Sequence, residues 1–379
     1  MKELAEIQAA MANADARGEP AALATIIGIR GSTYRRPGAR LLITRSGQQT
    51  GNISGGCLEG DVAVVAEEVL ASKTPRLVMY DLTADDDAVW GLGLGCNGAI
   101  EVFVEPIAAD DPLWRGAKDA QESDEAIVVA TVVEGNASTP AGRRIVIGPG
   151  GQRGTLGDRS ADAEVERLAR EASADLRSRT DSVRTATGRL RLFVEVLHPP
   201  VRLVVCGAGH DAIPVVRHAS QLGWRVLVVD RREAFLNRER FPGATGFVRT
   251  EFPVAASAVP TDAHTYVLIM THNYIHDRDL LRAFLPTPAA YLGMLGPRAR
   301  TEKILRELEV DGVRIDARRR EQIFGPVGLD IGSETPDEIA IAALGEIMAV
   351  ARGREGGFLR ARGAPIHTPT QEPTPAREP

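Results

Sequence analysis

Residues 203 to 230, LVVCGAGHDAIPVVRHASQLGWRVLVVD, constrain this chain more than any other stretch. An apolar run from Leu203 to Cys206 stops at a glycine, which suits a strand buried on both faces of a parallel sheet. The turn Gly207-Ala208-Gly209-His210-Asp211-Ala212 follows as a G-x-G-x-x-A fingerprint. Gly207 permits the tight turn, Gly209 lets backbone approach a pyrophosphate, and Ala212 is small enough for close helix–strand packing. Apolar residues then recur at helical spacing to Leu222, and Gly223 stands where a helix stops. A second strand from Arg225 ends at Asp230, placed to accept a hydrogen bond from a ribose 2′-OH. In this order the elements read as an α/β Rossmann domain, a doubly wound parallel sheet that takes NAD(P). Arg231 and Arg232 directly after the acid leave NADP open beside NAD, and a fold that uses the crevice for something else is the plain alternative.

With 379 residues the chain is long for one core, and two domains are expected. An α/β domain is expected over 1–198, with His198-Pro199-Pro200 as linker, the Rossmann domain over 199–352 and a disordered tail over 353–379, where Pro, Thr, Arg and Gly dominate. The formal net charge is −6 and no basic run is present, which argues against nucleic acid as a partner. No apolar run approaches the ~18 residues of a membrane span. The start, MKELAEIQAA, lacks the apolar core of a signal peptide. Three cysteines, none in a CxxC, fit a reducing cytoplasm.

The stretch before the linker repeats itself. ATIIGIRGSTYRRPGARLLITRSGQQTGNI from Ala24 aligns with ATVVEGNASTPAGRRIVIGPGGQRGTL from Ala130, and GAIEVFVEP from Gly98 aligns with GRLRLFVEV from Gly188. A helix follows the hairpin in both copies, so the N-terminal domain reads as two strand–loop–hairpin–helix–strand units. Copy one carries Cys57 in SGGCLEGD and Cys96 in GLGLGCNG, while the matching segments of copy two, GDRSADA and TATGR, hold no cysteine. If the copies pack alike, copy one is the working half and copy two the scaffold.

Several residues have the chemistry of a site. Cys57 follows two glycines and precedes a helix, where amides and the helix dipole favour the thiolate, a soft ligand for sulfur transfer or a thiophilic metal. Cys96 has similar surroundings; Cys206 reads as core. Arg30, Arg35, Arg36 and Arg40 flank one turn, where clustered guanidiniums can clamp phosphate or simply be solvated. Glu59 and Asp61 read as first-turn helix acids ahead of acid/base groups. The strand Thr265 to Thr271 brings His272, Asn273, His276 and Asp277 toward the crevice, with Gly296, Arg298 and Arg300 opening the next helix. His272 and His276 are spaced i, i+4, but no third ligand stands near, which disfavours a metal there. His210 lines the pocket.

SGGCLEGDV, GSTYRRPGARLLI and GLGLGCNG, together with the GAGH turn, VLIMTHN, YLGMLGPRARTEKI and GPVGLDIGSETPDEIAIA, resemble the XdhC/CoxI family of xanthine dehydrogenase accessory factors over roughly 20–350. The sequence departs from that pattern at Pro297, where Ser is more usual. The resemblance implies a maturation factor that binds molybdenum cofactor transiently, assists its sulfuration with a cysteine desulfurase, and delivers it to a molybdenum hydroxylase such as xanthine or carbon monoxide dehydrogenase. It implies that Cys57 and Cys96 hold the molybdenum centre, with a nucleotide in the Rossmann crevice. A chaperone is favoured over a catalyst. An NAD(P)-dependent oxidoreductase, with His272 or His276 as acid/base, is the rival, and a nucleotide or redox sensor the third reading. The oligomeric state, a homodimer included, stays open.

Overall fold

The computed structural model describes residues 1–31, 33–81, 98–186 and 188–363. These divide into two units, Met1–Pro199 and a second that begins at Pro200, so the break falls inside the His198-Pro199-Pro200 segment.

In the first unit α1 (Lys2–Ala16) leads into β1 (Ala21–Gly31), β2 (Arg40–Thr44), β3 (Gln49–Gly51), α2 (Glu59–Ser72), β4 (Arg76–Asp81) and β5 (Gly98–Ile107). The same succession returns as α3 (Pro112–Glu122), β6 (Ile127–Glu134), β7 (Arg144–Gly148), β8 (Gly151–Arg153), α4 (Arg159–Asp175), β9 (Arg179–Thr185) and β10 (Gly188–Leu197). Each copy forms a five-stranded antiparallel sheet, ordered β3-β2-β1-β5-β4 in the first and β8-β7-β6-β10-β9 in the second. The two orders correspond strand for strand, so the internal repeat is real. It is also one helix longer than the sequence pattern shows, because α1 precedes β1 as α3 precedes β6. The start of α3 had a readable signal: Asp111 caps it by accepting from the Leu113 amide at 2.9 Å, and Pro112 sits in the first turn.

The sheets are covered on both faces, which is why β1 and β6 are apolar runs rather than alternating strands. One face of the first sheet packs Ala22, Ala24, Ile26, Ile43 and Val102 under α2 residues Val62, Ala66 and Val69. In copy two Val128, Ala130, Val132 and Ile145 lie likewise under Val165, Ala169 and Ala172 of α4. On the opposite faces the copies join at a small cluster of matched residues, Ile27 with Val133 and Phe103 with Phe193, and at a larger one in which α1 and α3 bring together Leu23 and Leu42 of copy one and Val129 and Val146 of copy two.

Around these clusters the copies exchange charges. Arg40 of copy one donates to Glu195 of copy two, with Nη1 to Oε1 at 2.9 Å. At the matching place Arg144 of copy two donates to Glu105 of copy one, and also to Asp111 at 2.6 Å. Arg191 of copy two pairs with Glu101 of copy one, its own counterpart position. Arg40, Arg144, Glu105 and Glu195 are all under 8% exposed. Charges so buried are tolerated only as pairs, so each copy supplies the neutralising partner of the other.

The second unit runs β11 (Arg202–Cys206), α5 (Ala212–Gln221), β12 (Arg225–Asp230), β13 (Gly246–Arg249), α6 (Ala255–Ala258), β14 (Thr265–Ile269), α7 (Tyr274–Phe284), β15 (Tyr291–Met294), α8 (Arg298–Val310), α9 (Ala317–Glu321), β16 (Ile323–Phe324) and α10 (Pro336–Ala351). Its parallel sheet is ordered β13-β12-β11-β14-β15-β16, the doubly wound Rossmann order, with the reversal between β11 and β14. Val205 and Val228 face α5 and α10 on one side; Val204, Cys206 and Ile269 face α7 and α8 on the other. Thr335 caps α10 in a capping box with Glu338, and Pro336 is in the first turn, as the sequence indicates.

The crossed charges make a stability prediction. Glu195→Ala, which strands Arg40 inside the interface, should lower unfolding free energy by about 3 to 5 kcal/mol. The apolar double replacement Arg40→Met, Glu195→Leu should come close to neutral. Urea denaturation of the three proteins measures both.

Candidate functional site

Two places assemble the residues singled out in the sequence. The first is the crevice at the carboxyl ends of β11 and β14, where open α/β sheets take ligands. Gly207 has φ +111°, and a Cβ there would lie 2.8 Å from the Met270 carbonyl oxygen, so the turn needs glycine for the fold itself. At Gly209 a Cβ would meet no protein atom within 4 Å. Space above that backbone is what a pyrophosphate requires, so the turn fits the group.

Asp230, at the end of β12, is 1% exposed. It accepts from the Ala208 amide at 2.7 Å and from Arg232 through the backbone amide, Nε and Nη2 at 2.9, 3.0 and 2.8 Å. Burial opposes its ionisation, but these donors outweigh burial and hold the carboxyl below the ordinary aspartate range. Arg232 also lies over the Phe235 ring at 4.0 Å, with Arg240 at 4.8 Å from the same ring. Arg231 is exposed.

Across the reversal point, His272 has φ +58°, unusual for a residue with a side chain, and its Nε2 reaches Asp211 Oδ2 at 3.0 Å. The contact joins the β14 end to the start of α5. His210 beside it is exposed. Asn273 caps α7, accepting from the Ile275 and His276 amides at 3.0 and 3.1 Å. His276 turns its ring to Phe252, at 5.0 Å between centroids, so the two histidines do not share a ligand face. Asp277 is fully buried, accepts from Thr271 and pairs with Arg300. Burial pushes its carboxyl above the ordinary range, against the pull of Thr271 and Arg300. Gly296, with φ +129°, stands in the turn between β15 and the helix that carries this arginine. Among the described residues no three His, Cys, Asp or Glu side chains are grouped to hold a metal.

The second place is the Ser54–Glu59 loop ahead of α2. Ser54 Oγ accepts from the amides of Gly56, Cys57 and Leu58 at 3.1, 3.0 and 3.1 Å. The Glu59 carboxylate accepts from the Ile53 and Ser54 amides and from Ser54 Oγ. The amides expected to favour a Cys57 thiolate are thus engaged by Ser54, and their effect is to fix the loop. Cys57 is partly exposed at the edge of the α2 core. Glu59 is a loop staple rather than an acid/base group, a role with no clear sequence signal. The copies show what is special here: the Ile53 amide bonds Glu59 as the Leu156 amide bonds Asp162, which sets Cys57 opposite Ser160. Ser160 Oγ accepts from the Ala186 amide, at the tip of the β9–β10 hairpin, at 3.4 Å. In copy one β4 ends at Asp81 and β5 begins at Gly98, and Cys96 lies outside the described residues.

The arginine cluster does not stay together as a clamp. Arg40 is buried on Glu195 and Arg35 pairs with Glu3, while Arg30 approaches the Met79 sulfur at 4.0 Å. Arg36 is half-buried. Cys206 is sealed in the sheet, and burial pushes its thiol far up, so the core reading is right.

Comparison with known proteins covers most of the chain. A model of the XdhC Rossmann domain matches residues 203–347, and a model of the XdhC and CoxI family matches 14–81 and 120–184, one segment in each copy of the repeat. A probable xanthine dehydrogenase subunit from Bacillus subtilis is 30% identical over 332 residues, which is 87% of this chain and 93% of the relative. The molybdenum cofactor insertion chaperone PaoD of Escherichia coli is 24% identical over 89% of this chain and 86% of its own. The crystal structure of a xanthine dehydrogenase from Bacillus halodurans is similar with a TM-score of 0.73 at 28% identity, covering 92% of this chain and 97% of that one.

The two glycines of the turn should separate on mutation. Gly207→Ala is expected to cost at least about 2 kcal/mol, through backbone strain and the Met270 clash. Gly209→Ala should shift stability by less than about 1 kcal/mol and act on ligand affinity instead. The thiols should separate too: in a Cys96→Ser background, Ellman's reagent should titrate Cys57 in the native protein and Cys206 only after denaturation.

Proposed function

Because the chain belongs to the XdhC and CoxI family, we propose that it is a maturation factor for a molybdenum hydroxylase. It takes molybdenum cofactor as cargo, supports its terminal sulfuration with a cysteine desulfurase as sulfur donor, and passes it to the client enzyme. The observation that carries this reading is the Cys57 loop. A thiol sits on backbone fixed by Ser54 and Glu59, in one copy of a duplicated fold, where the other copy has Ser160. A soft sulfur ligand on a rigid loop suits a thiophilic metal centre, and a preorganised loop loses little freedom when the cargo binds. Cys96 is assigned as the second thiol of that copy. The name of the PaoD relative, a molybdenum cofactor insertion chaperone, agrees with a maturation role.

Arg35 and Arg40 are tied to Glu3 and Glu195, so they serve the fold before they serve cargo phosphate. The Rossmann crevice takes a dinucleotide, with Gly207, Gly209 and Ala212 as its turn. When bound, the dinucleotide supplies hydride chemistry or a binding signal. This chain's own contribution is the open backbone at Gly209 and the His272–Asp211 contact beside it. That contact also favours a second reading, an NAD(P)-dependent oxidoreductase. A histidine held at Nε2 by a carboxylate can hold or move a proton at its other ring nitrogen, Nδ1, next to the cofactor.

The test is cargo retention. The protein, coexpressed with molybdenum-cofactor biosynthesis, should copurify with pterin, and Cys57→Ala, Cys96→Ala should lower the bound pterin at least about tenfold with unchanged melting. Pterin retained in full by the double variant refutes the thiol assignment. Substrate-dependent NAD(P)H turnover by the purified protein alone, lost in His272→Ala, would put the oxidoreductase first.

A further inference from the structure

We infer that the second unit selects a dinucleotide whose ribose carries a 2′-phosphate, with Arg232 rather than Asp230 as the selecting residue; this rests on the reading that the crevice binds a dinucleotide. In a Rossmann unit the acid that ends the second strand selects an unphosphorylated ribose by accepting from its hydroxyls. That requires acceptor positions on the carboxylate. A carboxylate offers about four. Asp230 has four donors: the Ala208 amide and Arg232 Nη2 on Oδ2, the Arg232 amide and Nε on Oδ1. A ribose hydroxyl gains access only by displacing Arg232, which exchanges charge-assisted hydrogen bonds for weaker ones.

What the site presents in place of the acid is a fixed cation. The Arg232 side chain is 46% exposed although two of its nitrogens are on Asp230, and Nη1 is not one of the two. Phe235 supports its plane at 4.0 Å. Arg240, over the same ring, donates Nη2 to the Ala208 carbonyl at 3.1 Å, inside the glycine turn. Arg231 is exposed next in the chain. The nearby carboxylate of Glu233 is paired with Arg249 at 2.9 Å. Three guanidiniums therefore surround the end of β12, and one carboxylate there is spent on orienting one of them. A planar fork already ordered by an acid and an aromatic ring binds a phosphate with little further loss of freedom.

The experiment is calorimetric titration of the full chain with NADP+ and NAD+, and competition between 2′,5′-ADP and 5′-ADP. NADP+ should bind at least about tenfold tighter than NAD+, the worth of one charge-assisted hydrogen bond. Arg231→Ala, at an exposed position, should weaken NADP+ and leave NAD+ unchanged. Arg232→Leu should reverse the preference, because Asp230 regains acceptor positions. NAD+ binding as tightly as NADP+ in the parent protein overturns the inference and leaves the crevice reading standing. Binding of neither dinucleotide overturns both. A preference unchanged in a folded Arg232→Leu protein removes Arg232 from the selecting role, and should that variant fail to fold, the parent and Arg231→Ala decide alone.

Discussion

The first unit depends on a reciprocal exchange of buried charge. Among the described residues, Arg40 and Glu105 of copy one form no ion pair within their own copy; Glu195 and Arg144 of copy two provide the partners. Hydrophobic contact joins the copies in two places, a small cluster of Ile27, Phe103, Val133 and Phe193 and a larger one that gathers Leu23 and Leu42 with α1 of copy one and Val129 and Val146 with α3 of copy two. The ion pairs add direction to that contact. They penalise a shifted or rotated pairing of the two sheets, since any such arrangement would strand Arg40, Glu105 and Glu195 and leave Arg144 only Asp111 of its own copy. The same pairs fix the Arg40 end of β2, and β2 leads through β3 to the loop that holds Cys57.

The second unit gains its geometry from the order of its strands. Reversal between β11 and β14 opens a crevice, and both rims are tied down. On one side the glycine turn is held by Asp230 through the Ala208 amide and by Arg240 through the Ala208 carbonyl. On the other, His272 is drawn to Asp211, and Asp277 anchors Thr271 and Arg300. Residues read as ligand contacts thus divide into two kinds. Asp230 and Asp277 have their carboxylates committed to backbone, threonine and arginine, and Asn273 Oδ1 caps α7, whereas Gly209, His210 and Arg231 face open space or solvent.

Much of this was legible beforehand. The strand–turn–helix–strand–acid succession led to the parallel sheet because each step is local: a buried run, a glycine with positive φ, a helical period. The repeat was legible because both copies keep apolar residues at the same spacings. The crossed ion pairs were not. Arg40 with Glu105 inside one copy and Arg40 with Glu195 across copies look alike in sequence, and only the facing of two sheets decides between them. The fate of Asp230 was hidden for a similar reason. An arginine two residues after an acid is usually a solvated turn, and whether it folds back depends on Phe235 and the glycine turn beneath it. The Ser54 staple was missed because serine beside two glycines reads as a loop, and nothing local indicates that its oxygen collects three amides.

The crossed pairing also bears on how the chain comes off the ribosome. Copy one is synthesised first, and its strands carry Arg40 and Glu105 on the face that copy two will later cover. Glu195 is near the end of β10, the last strand of the unit, so it leaves the exit tunnel only after nearly two hundred residues are made. Until then the finished first sheet keeps that face hydrated, with its charges in water rather than in a core. The facing of the two sheets is therefore completed only once copy two has been translated, whereas the thiol loop is held by Ser54 and Glu59 of its own copy and packs on a core drawn from that copy alone.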